Sequence, residues 1–268
     1  MRQQVMKLSV IWTLFAFYCA LGSPGNLTEG DRNLSVPIFI LGMPRTGSSL
    51  LEQMLGNHSS IEPMGELPWL PKAFEQAIGS LRPPRNQNQI REACKDSSFL
   101  TNVKTAYYNN ITQTDKPYLI DKLPGNFLYT GIIHAIFPGA LVIHTKREKH
   151  ATVWSCYKTP FVDGQGFSHD IRDASRYYDE VEAAIASAAS ALNSGFTSIA
   201  YEDLVNNPEQ LIQQLLEFLQ LPFEAVCLEH TKAKRLVSTA SRYQVTQPVF
   251  KDANSAWKPF EPMISARF

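Results

Sequence analysis

Apolar positions along this chain alternate between two rhythms. Ile38, Phe39, Ile40 and Leu41 form an unbroken run ending at Gly42, which reads as a buried strand. Beyond a polar turn, Leu50, Leu51, Met54 and Leu55 share one face of a helix from about Ser48 to Leu55. Segment 67–113 carries helical spacing interrupted by "RPPRNQNQ", and 117–124 ("PYLIDKLP") is a short strand ending in a loop. Residues 125–137 then read as a helix, 139–147 as a buried strand and 148–157 as a helix. Ser168 is expected to cap a long helix with Ile171, Ala174, Tyr178, Val181, Ile185, Ala188 and Leu192 inward, ended by Gly195. "FTSIAYEDL" is a strand and loop. "NNPEQLIQQLLEFL" is a helix with Asn207 as cap, Pro208 in its first turn and Gln210 completing a capping box.

Strands alternating with helices predict an α/β domain in which a central parallel sheet is flanked by helices on both faces. Ligands of such sheets collect at the carboxyl ends of the strands, where residues 43–48, 121–124 and 146–148 all fall.

The first 22 residues stand apart. A basic start, "MRQQVMK", precedes the uncharged "LSVIWTLFAFYCALG", and small residues follow. This is the layout of a secretory signal peptide, with a short signal anchor and a buried N-terminal helix as alternatives. Residues 23–35 are a polar linker, so the folded domain is expected over 36–268. N-x-[ST] triplets at Asn26, Asn33, Asn57 and Asn110 agree with a secretory route.

The 25 basic and 25 acidic side chains of the 268 residues cancel, so no global field draws the protein to nucleic acid, and an anionic ligand must be held by local groups. Membrane contact is expected through the N-terminal segment alone. Cys94, Cys156 and Cys227 lack metal-ligand spacing and fit one disulfide or three free thiols; no metal is expected.

The chemistry concentrates in "GMPRTGSS", residues 42–49. A glycine-bracketed turn entering a helix aims backbone N–H groups and the positive end of the helix at an anion, which makes the domain P-loop-like. The nucleotide-hydrolysing form of this loop has lysine where Ser48 stands. Here Arg45, Thr46, Gly47, Ser48 and Ser49 line the cradle instead, which disfavours ATP hydrolysis. The fork of Arg45 matches a tetrahedral oxyanion.

That stretch resembles the 5′-phosphosulfate loop of sulfotransferases, in the form found in the tyrosylprotein and related bacterial-type enzymes. "VIHTKREKHATVWSCYKTPF" resembles their 3′-phosphate motif, with Arg147 at a strand end and Ser155 on the next helix. "IAYEDLVNNPEQLIQQLLEFLQLP" and "VSTASRYQVTQPVFKDANSAWKPFEP" resemble two further blocks, so the likeness runs in order over roughly residues 36–262. It implies 3′-phosphoadenosine 5′-phosphosulfate as cosubstrate. It also implies Glu66 as general base, Lys122 as the cation at the leaving oxygen, and Arg45 with Ser255 on the sulfuryl group. Tyr201 would lie near the adenine. Two positions depart from the family: His150 and Thr246 stand where basic residues are common, with Arg242 or Lys251 as substitutes.

The resemblance implies a hydroxyl acceptor in the Golgi lumen of the secretory pathway: protein tyrosine first, a glycan or small molecule as alternative. Without a true leader the location would be cytoplasmic. Lys72, Arg82 and Arg85 are candidates for gripping an acidic peptide, and a homodimer is left open. A non-catalytic nucleotide-binding module of the same fold is the competing reading. His58 is expected to cap a helix end, His134 and His144 to be satisfied core histidines, and Asp121 to pair with a basic group other than Lys122.

Overall fold

The computed structural model describes residues 34–81, 86–161, 165–192, 195–230 and 254–265. The 1–22 leader, most of the 23–35 linker, Arg82, Arg85, Arg242, Thr246 and Lys251 lie outside the described residues.

Among the described residues, five strands form one parallel sheet in the order β2-β3-β1-β4-β5. They are β1 (Val36–Gly42), β2 (Ile61–Pro63), β3 (Tyr118–Asp121), β4 (Leu141–Lys146) and β5 (Phe196–Ala200). The helices are α1 (Ser48–Leu55), α2 (Trp69–Gly79), α3 (Gln87–Ala93), α4 (Ser97–Tyr108), α5 (Thr130–Ile136), α6 (Lys149–Tyr157), α7 (Ile171–Leu192), α8 (Tyr201–Asn206), α9 (Pro208–Phe218) and α10 (Glu261–Ser265).

The alternation of β1 side chains divides the core. Ile38 and Ile40 face a cluster containing Leu50, Leu51, Met54 and Leu55 of α1 and Ile212 and Leu215 of α9. Phe39 and Leu41 face the other cluster, built from α2, α4, α5 and α7 through Phe74, Tyr107, Ile133 and Val181. The expected α/β domain with helices on both faces is therefore what forms. Because β1 is central and its neighbours β3 and β4 come later in the chain, the loops after all three strands open on one edge of the sheet, at its switch point.

Several local expectations are corrected. The three-residue β2 was not predicted; it is an edge strand ending in Pro63. Residues 124–129 turn as a 3-10 helix, and the α-helix is confined to Thr130–Ile136. Asp170, not Ser168, caps α7, its carboxylate accepting from the N–H groups of Arg172 and Asp173 at 2.8 and 3.3 Å. Asn207 makes no side-chain cap and no capping box forms, because the residue also closes α8, its N–H bonded to the Asp203 carbonyl.

His58 closes α1 through its backbone alone, its N–H donating to the Leu55 carbonyl at 3.0 Å. Its buried ring turns elsewhere, accepting the Ser60 N–H on Nδ1 and donating from Nε2 to the Pro222 carbonyl at 2.9 Å. His134 and His144 are satisfied as expected, His134 by the Ala140 carbonyl and His144 by Ser198 and Glu182.

Candidate active site

The loop after β1 is shaped by backbone that few side chains tolerate. Arg45 (φ 71°) and Gly47 (φ 92°) both lie in the left-handed region, an uncommon conformation for a non-glycine residue that tends to mark functional sites. A Cβ on Gly47 would stand 2.6 Å from Cδ2 of Tyr201, so the ring closes directly over the loop backbone. The Thr46 hydroxyl turns inward, donating to the Met43 carbonyl at 2.7 Å and lying 2.8 Å from the Thr145 hydroxyl at the end of β4. Thr46 thus fastens loop to sheet through its side chain, leaving its backbone on the cradle. Ser48 and Ser49 open α1, both buried beneath the loop.

Around this loop stand the ends of β4 and β5. Nε of Arg45 lies 3.1 Å from Oγ of Ser155 on α6, and Nη1 of Arg147 donates to the Arg45 carbonyl at 3.1 Å. The Arg147 guanidinium lies over the Tyr201 ring, 4.5 Å from its centroid, while its Nε donates to Oδ1 of Asn254 at 2.7 Å. Asn254 in turn donates to Glu202 at 2.8 Å. Five of the predicted residues, Arg45, Gly47, Arg147, Ser155 and Tyr201, are thereby brought into one group.

Burial holds the pKa values of both arginines below the usual guanidinium value, and the charge of Arg147 pushes that of Arg45 the same way. Two desolvated like charges at one loop are costly unless an anion joins them. Burial also pushes the Cys156 thiol up to about 12.

Against this group opens a cleft of about 540 Å³ lined by Arg147, Lys149, Tyr178, Asn254, Ser255 and Lys258, among others. Ser255 belongs to the short segment 254–258, which is held by the stacking of Trp257 on His150 (centroids 4.8 Å apart, planes 20° apart). His150, one of the family departures, is also bonded to Glu148 through Nδ1 at 2.7 Å. A cleft of about 600 Å³ elsewhere, beside Ser80, Glu92 and Phe99, holds none of the predicted residues.

A second group sits at the end of β3. Lys122 is fully buried, its Nζ 2.7 Å from Oε1 of Glu66 and 3.9 Å from Oε2 of Glu52. The Glu66 side chain is 40% exposed, whereas that of Glu52 is 5% exposed. Glu66 is held in a loop whose preceding residue, Gly65, is pinned twice. Its N–H donates to Oε1 of Glu52 at 2.7 Å, and its carbonyl accepts the Lys122 N–H at 2.9 Å.

Asp121 does not pair with a basic group among the described residues. It accepts from Tyr107 at 3.1 Å and from Asn126 at 3.1 Å, and burial pushes its pKa up to about 8. With strands spaced by ~4.8 Å, the ends of β3 and β4 stand roughly 10 Å apart across β1. One cluster therefore lies on each side of the loop.

Sequence reasoning missed Glu52 and Asn254. Glu52 carried a faint signal: it lies four residues after Ser48, hence on the loop-facing side of a helix that is buried throughout. Asn254 precedes the implied Ser255 and gave none.

A model described as "Sulfotransferase family" matches residues 37–225. An uncharacterized protein of Aquifex aeolicus is 35% identical over 240 residues, 85% of this chain and 31% of its own length. Protein-tyrosine sulfotransferase A of Caenorhabditis elegans is 25% identical over 239 residues, 85% of this chain and 63% of that enzyme. The chain thus spans less than two thirds of the length of either relative.

Among solved structures, the sulfotransferase domain of the Synechococcus PCC 7002 olefin synthase superposes with a TM-score of 0.59 at 19% identity, covering 87% of this chain and 91% of that one. The domain from the curacin biosynthetic pathway gives 0.57 at 22%, covering 84% and 91%. At these identities the likeness is one of fold.

Proposed function

The chain belongs to the sulfotransferase family, and from that premise we propose that it transfers the sulfuryl group of 3′-phosphoadenosine 5′-phosphosulfate to a hydroxyl oxygen, with protein tyrosine as the acceptor. The observation that carries the proposal is the Lys122–Glu66 pair beside a phosphate cradle that lacks its own lysine.

In this reading the backbone of 46–49 and the hydroxyls of Ser48 and Ser49 hold the 5′-phosphosulfate. Arg147 and Ser155 hold the 3′-phosphate, and Tyr201 flanks the adenine. Arg45 and Ser255 face the sulfuryl oxygens. The acceptor oxygen attacks sulfur as its proton passes to the Glu66 carboxylate. The bond from sulfur to the 5′-phosphate oxygen breaks with its electron pair going to that oxygen, where Lys122 neutralises the charge. A sulfate ester and adenosine 3′,5′-bisphosphate result. As in phosphoryl transfer, positioning and fixed charge supply most of the rate.

The 2.7 Å contact of Lys122 with Glu66 gives this step a built-in order. While the two are paired, Oε1 of Glu66 and the Lys122 ammonium are engaged with each other. Phosphate oxygens arriving beside Lys122 draw it away from Glu66 and release the base as the donor takes its place.

The protein-tyrosine acceptor is supported by relatives named for that activity, among them protein-tyrosine sulfotransferase 1 of Danio rerio, 27% identical over 250 residues. Lys72, whose ammonium lies 4.7 Å over the Trp69 ring on α2, is the described member of the cations expected to meet an acidic peptide. The leader-like N-terminus supports a lumenal site in the secretory pathway. Among the described residues no helix is long and apolar enough to cross a membrane.

The test is incubation with donor labelled in the sulfate, offering tyrosine peptides, glycans and simple phenols in parallel with labelled ATP, with and without a chelator. Label on the tyrosine peptide, unaffected by chelation, is the expected result. Label on a glycan or phenol alone would move the acceptor. No transfer to any acceptor, with no binding of adenosine 3′,5′-bisphosphate, would leave the non-catalytic module as the reading.

A further inference from the structure

The buried Glu52 is not assigned by the family motifs above, and its surroundings give it a specific task. Lys122 lies between two carboxylates of opposite character. The outer one, Glu66, touches Nζ at 2.7 Å and has a side chain 40% exposed. The inner one, Glu52, is 3.9 Å from Nζ with a side chain 5% exposed, and its other oxygen is tied to the Gly65 N–H at 2.7 Å. The outer carboxylate has room to turn toward an acceptor; the inner one is fixed by the backbone it holds.

A lysine with no exposed surface is held by the groups packed around it. Once Glu66 turns to take the acceptor proton, Lys122 has the donor's phosphate oxygens on one side and the Glu52 carboxylate on the other. The same side chain holds Gly65, the residue before Glu66, so one anion on α1 sets both the leaving-group cation and the loop carrying the base. The helix that carries Glu52 starts at the phosphate cradle itself, one turn above, at Ser48.

We propose that Glu52 is a positioning residue for sulfuryl transfer: an inner carboxylate that holds Gly65 in place and keeps Lys122 aimed at the leaving oxygen while Glu66 leaves the pair to act as base. This rests on the roles given to Lys122 and Glu66 above. The contribution of Glu52 is to the turnover step rather than to holding the nucleotide, whose phosphates are met by other groups.

The experiment compares wild type, Glu52→Gln, Glu52→Asp and Lys122→Met in one assay. It reads release of labelled sulfate from the donor, to water or to a tyrosine peptide, together with calorimetric affinity for adenosine 3′,5′-bisphosphate. Glutamine keeps a carbonyl oxygen for the Gly65 N–H and removes the charge. Glu52→Gln is expected to lose roughly tenfold or more in kcat while its affinity for the bisphosphate stays within about twofold, a split that marks an interaction made in the reaction itself. Glu52→Asp, which keeps the charge, is expected to recover part of that loss. If Glu52→Gln turns over within about twofold of wild type while Lys122→Met is inactive, the proposal fails and the reading of Lys122 stands. A Glu52→Gln chain that does not fold, or that loses bisphosphate affinity in step with turnover, gives Glu52 a role in the fold alone and overturns the proposal. Full turnover by Lys122→Met overturns the reading of the site itself.

Discussion

The guanidinium of Arg147 lies over the ring of Tyr201, 4.5 Å from its centroid, and the same ring closes on Gly47. The ends of β4 and β5 and the loop after β1 are thus joined by one aromatic side chain. In the proposed reading, this junction carries the two anion sites.

Replacing Arg147 by alanine removes the stack, the bond to Asn254 and the bond to the Arg45 carbonyl. A charged hydrogen bond to a ligand is worth about 1.5–3 kcal/mol, so calorimetry should show affinity for adenosine 3′,5′-bisphosphate falling roughly 10- to 100-fold. Arg147→Lys should recover little, since it restores the charge without the planar fork. An unchanged affinity in Arg147→Ala would remove it from the 3′-phosphate site.

Gly47→Ala places a Cβ 2.6 Å from the Tyr201 ring, at a backbone φ of 92°. The left-handed conformation alone costs about 1–2 kcal/mol for a residue with a Cβ, and the ring contact adds to it. Thermal unfolding should shift down by several degrees. Adding Tyr201→Ala should return part of that shift by removing the clash, whereas independent sites would sum.

Asp121 gives a pH dependence with a defined sign. Its pKa is raised to about 8 in the folded chain from 3.8, chiefly by burial. Between those values the folded state binds the extra proton, so stability falls as pH rises and levels off above about pH 8. Urea unfolding across pH 5 to 8.5 should show a decline that Asp121→Asn flattens. A variant with the same slope as wild type would place the pH dependence elsewhere.

Glu66→Gln leaves the cradle untouched and removes the proposed base. General base catalysis contributes about 10²–10⁴-fold, so kcat should fall by that order while bisphosphate affinity holds. Full turnover in this variant would withdraw the base assignment and nothing else.

Much of this was legible in the sequence because it rests on patterns read locally. The run Ile38–Leu41 into Gly42 could only be a buried strand entering a turn, and Arg147 and Lys122 each stand just past a strand, where parallel sheets gather ligands. The failures are where partners lie far along the chain. Glu52 gains its meaning from Gly65 and Lys122, 13 and 70 residues away, and within "SSLLEQML" it looks like an ordinary helix glutamate. His58 caps α1 with its N–H as its place in the chain suggests, but the partner of its ring, Pro222, is 164 residues away. Asn207 had the right chemistry for a cap, but its backbone was already committed to ending α8.

In the proposed function the loop "GMPRTGSS" and the strand ends beside it hold a nucleotide with separate 5′ and 3′ anions, without a P-loop lysine. The most direct test is calorimetric titration of the full chain with adenosine 3′,5′-bisphosphate, adenosine 5′-monophosphate and ATP with magnesium. The bisphosphate is expected to bind without metal, and removing its 3′-phosphate to weaken binding roughly tenfold or more. Equal affinity for the two adenosine phosphates, or tighter binding of ATP with magnesium, would contradict it.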